Sequence, residues 1–179
     1  KMNQKKLNLL RDQIDEIDKK ILNLIENRSN LANEVIKAKG GRGIFKPKRE
    51  ESLIRNLFSI SKRCRHEFIE NIWRLLISEN LSLQGGLKLA LGPSKSVIKT
   101  TIWHFGKGAK LEVFETDEEA LRKLALGNFD ASILPSSNSF EAFIDKNKLK
   151  IEKVAESPIS ALQELNKVAI YKLHDEIKK

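Results

Sequence analysis

The sequence predicts a chain of two halves, an all-α half with three helices followed by a small α/β half. The first observation is an apolar repeat with alternating spacings of three and four residues, which extends from Leu7 to Ala38. The second is a change at Gly85-Gly86, after which short β-like runs alternate with short helical ones. Because this glycine pair can end a helix and link two segments, we expect domains at 1–84 and 87–179.

The composition of the chain limits the class of protein and the cellular compartment that we expect for it. The chain has 179 residues, of which 40% are apolar and 32% charged, and no run approaches the roughly 18 apolar residues of a membrane-spanning helix. Its single cysteine, Cys64, excludes a disulfide within the chain and an all-cysteine zinc site. The three histidines are scattered and the N-terminal segment lacks a secretory pattern. We therefore expect a cytoplasmic protein without a metal and without a membrane partner.

The apolar repeat predicts one long first helix, because no glycine or proline interrupts it before Gly40. At the usual rise per residue this helix is about 50 Å long, which exceeds the width of a small domain. A helix of this length with so regular a seam is expected to pack along a second copy of itself. A second helix is predicted from Pro47 to Arg63 and a third from His66 to Gln84.

The second half predicts a β-α-β-α-β order, typical of a small layered α/β structure. Its second helix begins with a capping box, Thr116-Asp117-Glu118-Glu119. Strands are predicted at 87–91, 110–114, 129–134, 150–154 and 167–173, and helices at 96–105 and 116–126.

Three cations on the first helix suggest a binding site for an anion. Arg28 occupies a seam position, where a guanidinium needs either a carboxylate of a partner helix, such as Glu26 or Glu34, or an anionic ligand. Lys39 lies on the same face about 16 Å further along the axis, so both side chains can hold one small ligand. Arg11 lies about 25 Å before Arg28 and can join them only from an antiparallel partner helix.

Polar residues of the other two helices extend this set. Asn80 and Gln84 continue the apolar stripe of the third helix and point either inward or, at a helix end, into solvent. Arg49 and Glu50 lie in the first turn of the second helix, where an acid alone would be ordinary. Together the cations, the acid and the amides indicate a pocket for a small polyanion. No catalytic triad, Walker loop or dinucleotide fingerprint is visible.

These residues, at this spacing, resemble the all-helical class of chorismate mutase from Leu7 to Gln84. The matching segments are R-x-x-I-x-x-I-D from Arg11, L-x-x-x-R-x-x-L-A-x-x-V-x-x-x-K from Leu24, Arg49-Glu50, and W-x-x-x-I-x-x-x-L-x-x-Q from Trp73. The resemblance implies an intertwined dimer of three-helix chains. It also implies isomerisation of chorismate to prephenate, without a cofactor, in the biosynthesis of phenylalanine and tyrosine.

The resemblance further implies individual roles. Arg28 and Arg11 of the partner chain would hold the two substrate carboxylates, with support from Arg49. Lys39 and Gln84 would hydrogen-bond the ether oxygen, which gains negative charge as its bond to carbon breaks.

Other positions differ in how closely they follow the family. Glu50 would accept a hydrogen bond from the ring hydroxyl of the substrate. Asn80 stands where relatives often have a serine near a carboxylate. Lys46 stands where many relatives have an aspartate, which puts one contact on the hydroxyl side in question.

The second half resembles the first lobe of prephenate dehydratase, which implies a partial periplasmic-binding-protein-like lobe. The resemblance rests on L-x-L-G-P from Leu89, His104-Phe105-Gly106, F-D-A-S-I-L-P from Phe129, and Asn138-Ser139. The lobe is reduced, because the Thr-Arg-Phe triplet that the dehydratase uses is absent from the sequence and about 93 residues are too few for two lobes. We expect a degenerate, non-catalytic half that binds a ligand near Ser137, Asn138 and Ser139 or stabilises the dimer.

Three alternatives to a mutase remain open from the sequence. The sister activity that removes pyruvate from isochorismate uses a similar set of cations. A non-catalytic regulator would bind chorismate or an aromatic amino acid. The net charge of +9 suits an acidic metabolite, acidic lipid or nucleic acid, but dispersed basic residues and 6% aromatic content argue against a nucleic-acid partner.

Overall fold

A computed structural model describes residues 3–40, 43–162 and 164–174 of the chain. The chain divides into two compact units, of which the first ends at Ile44 and the second begins at Phe45. The first unit contains the long N-terminal helix. The second contains two further helices and a five-stranded mixed sheet with its own helices. The predicted sequence of long helices followed by an α/β fold is therefore confirmed.

The first helix, α1, is a single helix of 35 residues, Gln4–Ala38. Asn3 caps its N-terminus by accepting a hydrogen bond from the Lys6 amide at 3.1 Å, and Lys39 is its C-cap. None of its residues is buried. The apolar seam predicted from the sequence is 46–67% exposed at Leu10, Ile14, Ile17, Ile21, Leu24, Leu31 and Val35.

Helices α2 (Pro47–Ile60) and α3 (His66–Leu83) follow. The Phe58 ring near the end of α2 stacks on the His66 ring at the start of α3, with centroids 4.3 Å apart. Near the other end of α2, Glu50 contacts Arg74 in the middle of α3. The two helices are therefore antiparallel.

The end predicted for α2 at Arg63 is wrong, because the helix stops three residues earlier. Ser61 adopts an extended backbone conformation, with φ −74° and ψ 130°. Its hydroxyl accepts a hydrogen bond from the Cys64 amide at 3.2 Å. Serine competes in this way with the helical hydrogen bonds of its neighbours.

After α3, the second unit continues with a five-stranded mixed sheet and three further helices. Its strand order is β2-β1-β3-β5-β4, with β1 parallel to β2 and β3, and β5 antiparallel to β3 and β4. The predicted strands and helices are all present, and among the described residues the sequence analysis missed only the short α6. In chain order the elements are β1 (Lys88–Leu91), α4 (Lys95–Phe105), β2 (Lys110–Val113), α5 (Asp117–Ala125), β3 (Ala131–Pro135), α6 (Glu141–Lys146), β4 (Ile151–Ser157) and β5 (Val168–Leu173).

The glycine pair after α3 forms a tight turn. The Gly86 amide donates to the Leu81 carbonyl at 3.0 Å, which closes the helix end, and Gly86 has a φ of +72°. A Cβ at Gly86 would lie 2.1 Å from the Gly108 carbonyl oxygen, so only glycine fits this approach. The domain boundary between 84 and 87 stays a prediction, because the compact units of the chain divide at another position, after Ile44.

Candidate functional site

Three of the predicted ligand-binding cations lie in the first unit. Arg11 is exposed, and Arg28 is half-buried further along the same continuous helix. Burial lowers the pKa of the Arg28 guanidinium, which nevertheless stays charged at neutral pH. Lys39 is exposed at the C-cap of α1. The unbroken helix holds Arg11 and Arg28 about 25 Å apart along its axis, too far for one small ligand.

Glu50 lies in a buried polar environment, whereas its neighbour Arg49 is exposed. The Glu50 side chain is 12% exposed, and its Oε2 accepts a hydrogen bond from Arg74 Nη1 at 2.9 Å. Burial raises the pKa of Glu50, and the positive charges of Arg74 and Lys172 oppose that rise. The structure thus adds Arg74 to the surroundings of a predicted site residue.

Arg74 also contacts His104 of α4. Its Nη1 lies 3.2 Å from His104 Nε2, and His104 Nδ1 lies 2.5 Å from Ser157 Oγ at the end of β4. Because a guanidinium only donates hydrogen bonds, Nε2 must accept, and the neutral ring carries its proton on Nδ1. Burial and the Arg74 charge lower the pKa of His104 well below its usual value. We call Glu50, Arg74, His104 and Ser157 the buried polar cluster.

The neutral state of His104 predicts a loss of stability in mild acid. Histidine in the unfolded chain gains a proton near its ordinary pKa of about 6.5, whereas folding keeps His104 neutral. The unfolded state therefore binds more protons below that pH, and the free energy of unfolding falls by up to about 1.4 kcal/mol per pH unit. Urea unfolding at pH 7, 6 and 5 measures this loss.

A His104→Gln variant should lose part of this pH dependence, since glutamine does not titrate and its carbonyl can still accept from Arg74. His66→Gln is the matched control, because His66 is exposed. An identical pH dependence in wild type and His104→Gln would contradict the assignment of a neutral His104.

Glu70 joins α3 to the turn after β4. It is fully buried and accepts hydrogen bonds from the Ile159 amide at 2.7 Å, the Ser160 amide at 2.8 Å and the Ser160 hydroxyl. The sequence analysis missed Glu70 and Arg74. Their helical spacing could have indicated them, because Glu70 and Arg74 lie four residues apart on the stripe that continues through Ile77 and Leu81. All four residues of this stripe are buried.

The two predicted amides lie at the C-terminal end of α3. Asn80 is buried, and Gln84 is the C-cap of the helix. The Gln84 Oε1 is buried and has no hydrogen-bond partner among the described residues. Because an unpaired buried acceptor is costly, this oxygen is suited to accept a hydrogen bond from a donor group. Lys46, the departure from the family pattern, is exposed at the N-cap of α2.

A second candidate site lies in the sheet. A cavity of about 650 Å³ opens where β1 and β3 end, at the point where strand order reverses. Ser137 and Asn138 line it, together with Ser94 and Lys167. Ser139, which the sequence analysis grouped with them, donates instead to the Glu141 carboxylate at the start of α6.

Cations lie along α1, and two amides lie at the C-terminal end of α3. Side chains of both kinds can donate hydrogen bonds to a small anion. Within the described ranges, no group of three or more His, Cys, Asp or Glu side chains could hold a metal ion. In the same part of the chain, no helix combines the length and apolarity needed to cross a membrane.

The comparison with protein families identifies the class of fold and site. The family described as chorismate mutase type II matches residues 10–85. A chorismate mutase from Methanocaldococcus jannaschii is 39% identical over 85 residues, which cover 44% of this chain and 84% of that protein. The chain belongs to the type II chorismate mutase family, and the resemblance predicted from Leu7 to Gln84 is confirmed.

Longer relatives extend the similarity into the second half. The bifunctional chorismate mutase/prephenate dehydratase of Pseudomonas aeruginosa is 28% identical over 152 residues, which are 79% of this chain and 42% of that protein. The protein of the same description from Neisseria gonorrhoeae is 26% identical over 172 residues, 94% of this chain and 46% of the relative. The chain thus spans less than half the length of these relatives, and their two-part organisation confirms the predicted fusion. No solved structure matches the chain.

Proposed function

We propose that this protein is a chorismate mutase, which converts chorismate to prephenate by an intramolecular Claisen rearrangement without a cofactor, in phenylalanine and tyrosine biosynthesis. The observation that carries the proposal is the family match over residues 10–85. That segment contains every residue predicted for the mutase site, namely Arg11, Arg28, Lys39, Arg49, Glu50, Asn80 and Gln84.

In this proposal Arg28 and Arg11 of a second chain bind the two carboxylates of chorismate, with Arg49 in support. Lys39 and Gln84 donate hydrogen bonds to the ether oxygen. Arg28, Lys39 and Gln84 are the catalytic residues, because they contact the groups that rearrange or anchor them.

The remaining two residues bind the periphery of the substrate. Glu50 accepts from the ring hydroxyl, and Asn80 lies near a carboxylate. Donation from Gln84 to the ether oxygen comes from its Nε2, because the unpaired Oε1 can only accept a hydrogen bond.

The chemistry needs no more than these groups. The rearrangement is unimolecular, so no nucleophile is activated and no proton is moved. The protein folds the enolpyruvyl arm over the ring and thereby supplies orientation. Fixed donors then stabilise the charge that develops on the ether oxygen.

We further propose that the enzyme is an intertwined homodimer built on α1. The exposed apolar seam of α1 supports this, because a continuous stripe of this kind normally packs on a partner. The distance of about 25 Å between Arg11 and Arg28 supports an antiparallel partner helix, whose Arg11 would serve the Arg28 of the first chain.

Ile17→Asp, which places a charge in the apolar seam, should dissociate this dimer. A buried unpaired carboxylate is costly, so we expect a shift from dimer to monomer in analytical ultracentrifugation and a matching loss of mutase activity. Lys19→Asp is the control, because it adds the same side chain on the opposite face of α1. A monomeric wild type, or a dimeric Ile17→Asp, would argue against assembly through the seam.

The proposed function is tested by incubating the purified chain separately with chorismate and with isochorismate, identifying the products chromatographically, and measuring binding of chorismate and of phenylalanine by calorimetry. Formation of prephenate supports the mutase. Release of pyruvate from isochorismate, without prephenate formation, would favour the sister lyase activity. Binding of chorismate or an aromatic amino acid without turnover would favour a regulator.

We propose that the second half is a partial periplasmic-binding-protein-like lobe without dehydratase activity. The five-stranded sheet with its helices supports such a lobe, and prephenate should accumulate in the assay of this chain. We also propose a cytoplasmic setting, which the single cysteine, Cys64, supports.

A further inference from the structure

The buried polar cluster connects a predicted substrate-binding residue to the α/β half. Glu50 belongs to α2 and Arg74 to α3, both inside the segment that matches the mutase family. His104 belongs to α4 and Ser157 to β4, outside that segment. The cluster therefore runs from one half of the sequence to the other through continuous polar contacts.

Arg74 is the central member of this cluster. Its side chain is 3% exposed, and its Nη1 has two hydrogens with two acceptors, Glu50 Oε2 at 2.9 Å and His104 Nε2 at 3.2 Å. Because the guanidinium is planar and rigid, fixing one hydrogen by His104 also fixes the direction of the other. The position of the Glu50 carboxylate thus depends on the histidine behind Arg74.

We propose that Arg74 is a positioning residue for Glu50, held in place by His104 and Ser157, so that the α/β half completes the mutase's hydroxyl-binding group. The inference rests on the proposed function, in which Glu50 accepts a hydrogen bond from chorismate. It gives the second half a task in catalysis that requires no dehydratase chemistry.

The charges around Glu50 define a measurable consequence. Three ionisable groups face it from other elements: Arg74 of α3, His104 of α4 and Lys172 of β5. Arg74 in turn faces Glu70 and Glu51 as well as Glu50. Since His104 is neutral, Arg74 and Lys172 are the cations that favour the ionised form of Glu50. Removing Arg74 should raise the pKa of Glu50. As the pH is lowered, mutase activity should then begin to fall at a higher pH than in the wild type.

The experiment compares kcat/KM of the full chain and its Arg74→Met variant from pH 5 to 8. We expect a decrease of about 10- to 100-fold at neutral pH, the usual size for removing the support of a functional side chain. The acid limb of the profile should also move to higher pH. Arg55→Met is the matched control, because Arg55 also pairs with a glutamate of α2, Glu51 at 2.7 Å, but is exposed.

A double-mutant cycle separates positioning from a general structural role. If Arg74 acts through Glu50, then Arg74→Met should cost little further activity in a Glu50→Gln background, and the acid limb should be absent there. His104→Phe, which keeps a ring beside Phe105 but removes the acceptor, should lower kcat/KM by about 3- to 10-fold.

Two further measurements keep the outcome clear. If Arg74→Met does not fold, Arg74→Lys retains the charge but not the rigid fork, and an approximately 10-fold loss of kcat/KM is expected with the fold intact. If the wild type turns over chorismate and the folded Arg74 variant has the same kcat/KM and pH profile, the inference is overturned and the proposed mutase function is retained. No mutase turnover in the wild type would overturn the proposed function itself.

Discussion

Replacing Arg28 by alanine is expected to lower kcat/KM for chorismate by about 100- to 1,000-fold. The substitution removes a half-buried guanidinium together with its charge-assisted hydrogen bonds to a substrate carboxylate. Water replaces such hydrogen bonds poorly. The helix should persist, since alanine has the highest helix propensity and none of the residues of α1 is buried. Steady-state kinetics with circular dichroism measures both effects.

Lys19→Ala is the control for this variant. Lys19 lies on the same helix and pairs only with Glu16 at 2.6 Å among the contacts of the described residues, with both side chains largely exposed. Its kcat/KM should stay within about 2-fold of wild type, since exposed pairs of this kind contribute little. Wild-type kinetics in Arg28→Ala would remove Arg28 from the catalytic set.

Replacing Glu70 by alanine should destabilise the second unit by about 3–5 kcal/mol. The substitution leaves the Ile159 amide, the Ser160 amide and the Ser160 hydroxyl without their acceptor in a partly buried position. It also removes a negative charge near Arg74. Urea unfolding at pH 7 measures the loss, which should appear as a lower midpoint with a similar slope.

Glu79→Ala provides the comparison, because Glu79 lies on the same helix and is exposed. Its free energy of unfolding should change by less than about 0.5 kcal/mol. Glu70→Gln retains one acceptor oxygen and should lie between the two. Equal stability of Glu70→Ala and Glu79→Ala would show that the turn after β4 does not depend on α3.

Sequence patterns were sufficient to predict the five strands of the sheet and every helix of the described residues except α6. The repeat from Leu7 to Ala38 has no breaker, so local sequence alone defines α1. The capping box at Thr116 likewise places the start of α5, where its hydroxyl accepts from the Glu119 amide at 3.1 Å. Periodicity reveals neither the early end of α2, where the Ser61 hydroxyl accepts from the Cys64 amide, nor α6, which has only six residues.

The candidate site divides in the same way. The spacing of Arg11, Arg28 and Lys39 is a property of one helix, so the sequence predicts their relative positions. The contact of Arg74 with His104 joins residues 30 apart in the chain, and that of Glu70 with Ser160 joins residues 90 apart. Such pairs follow from how α3 packs on α4 and the β4 turn, which no local pattern reveals.

The turn at Gly86 affects how this fused chain can change by recombination. A recombination event between positions 84 and 87 would replace one half of the chain by that of another protein and keep the other half. Here such an exchange would separate Glu70 from its turn and Arg74 from His104, and it would place a new surface against the close contact of Gly86 with Gly108. Part of the interior on each side of Gly86 is therefore supplied by the other side, and we expect substitutions on the two sides to be energetically coupled.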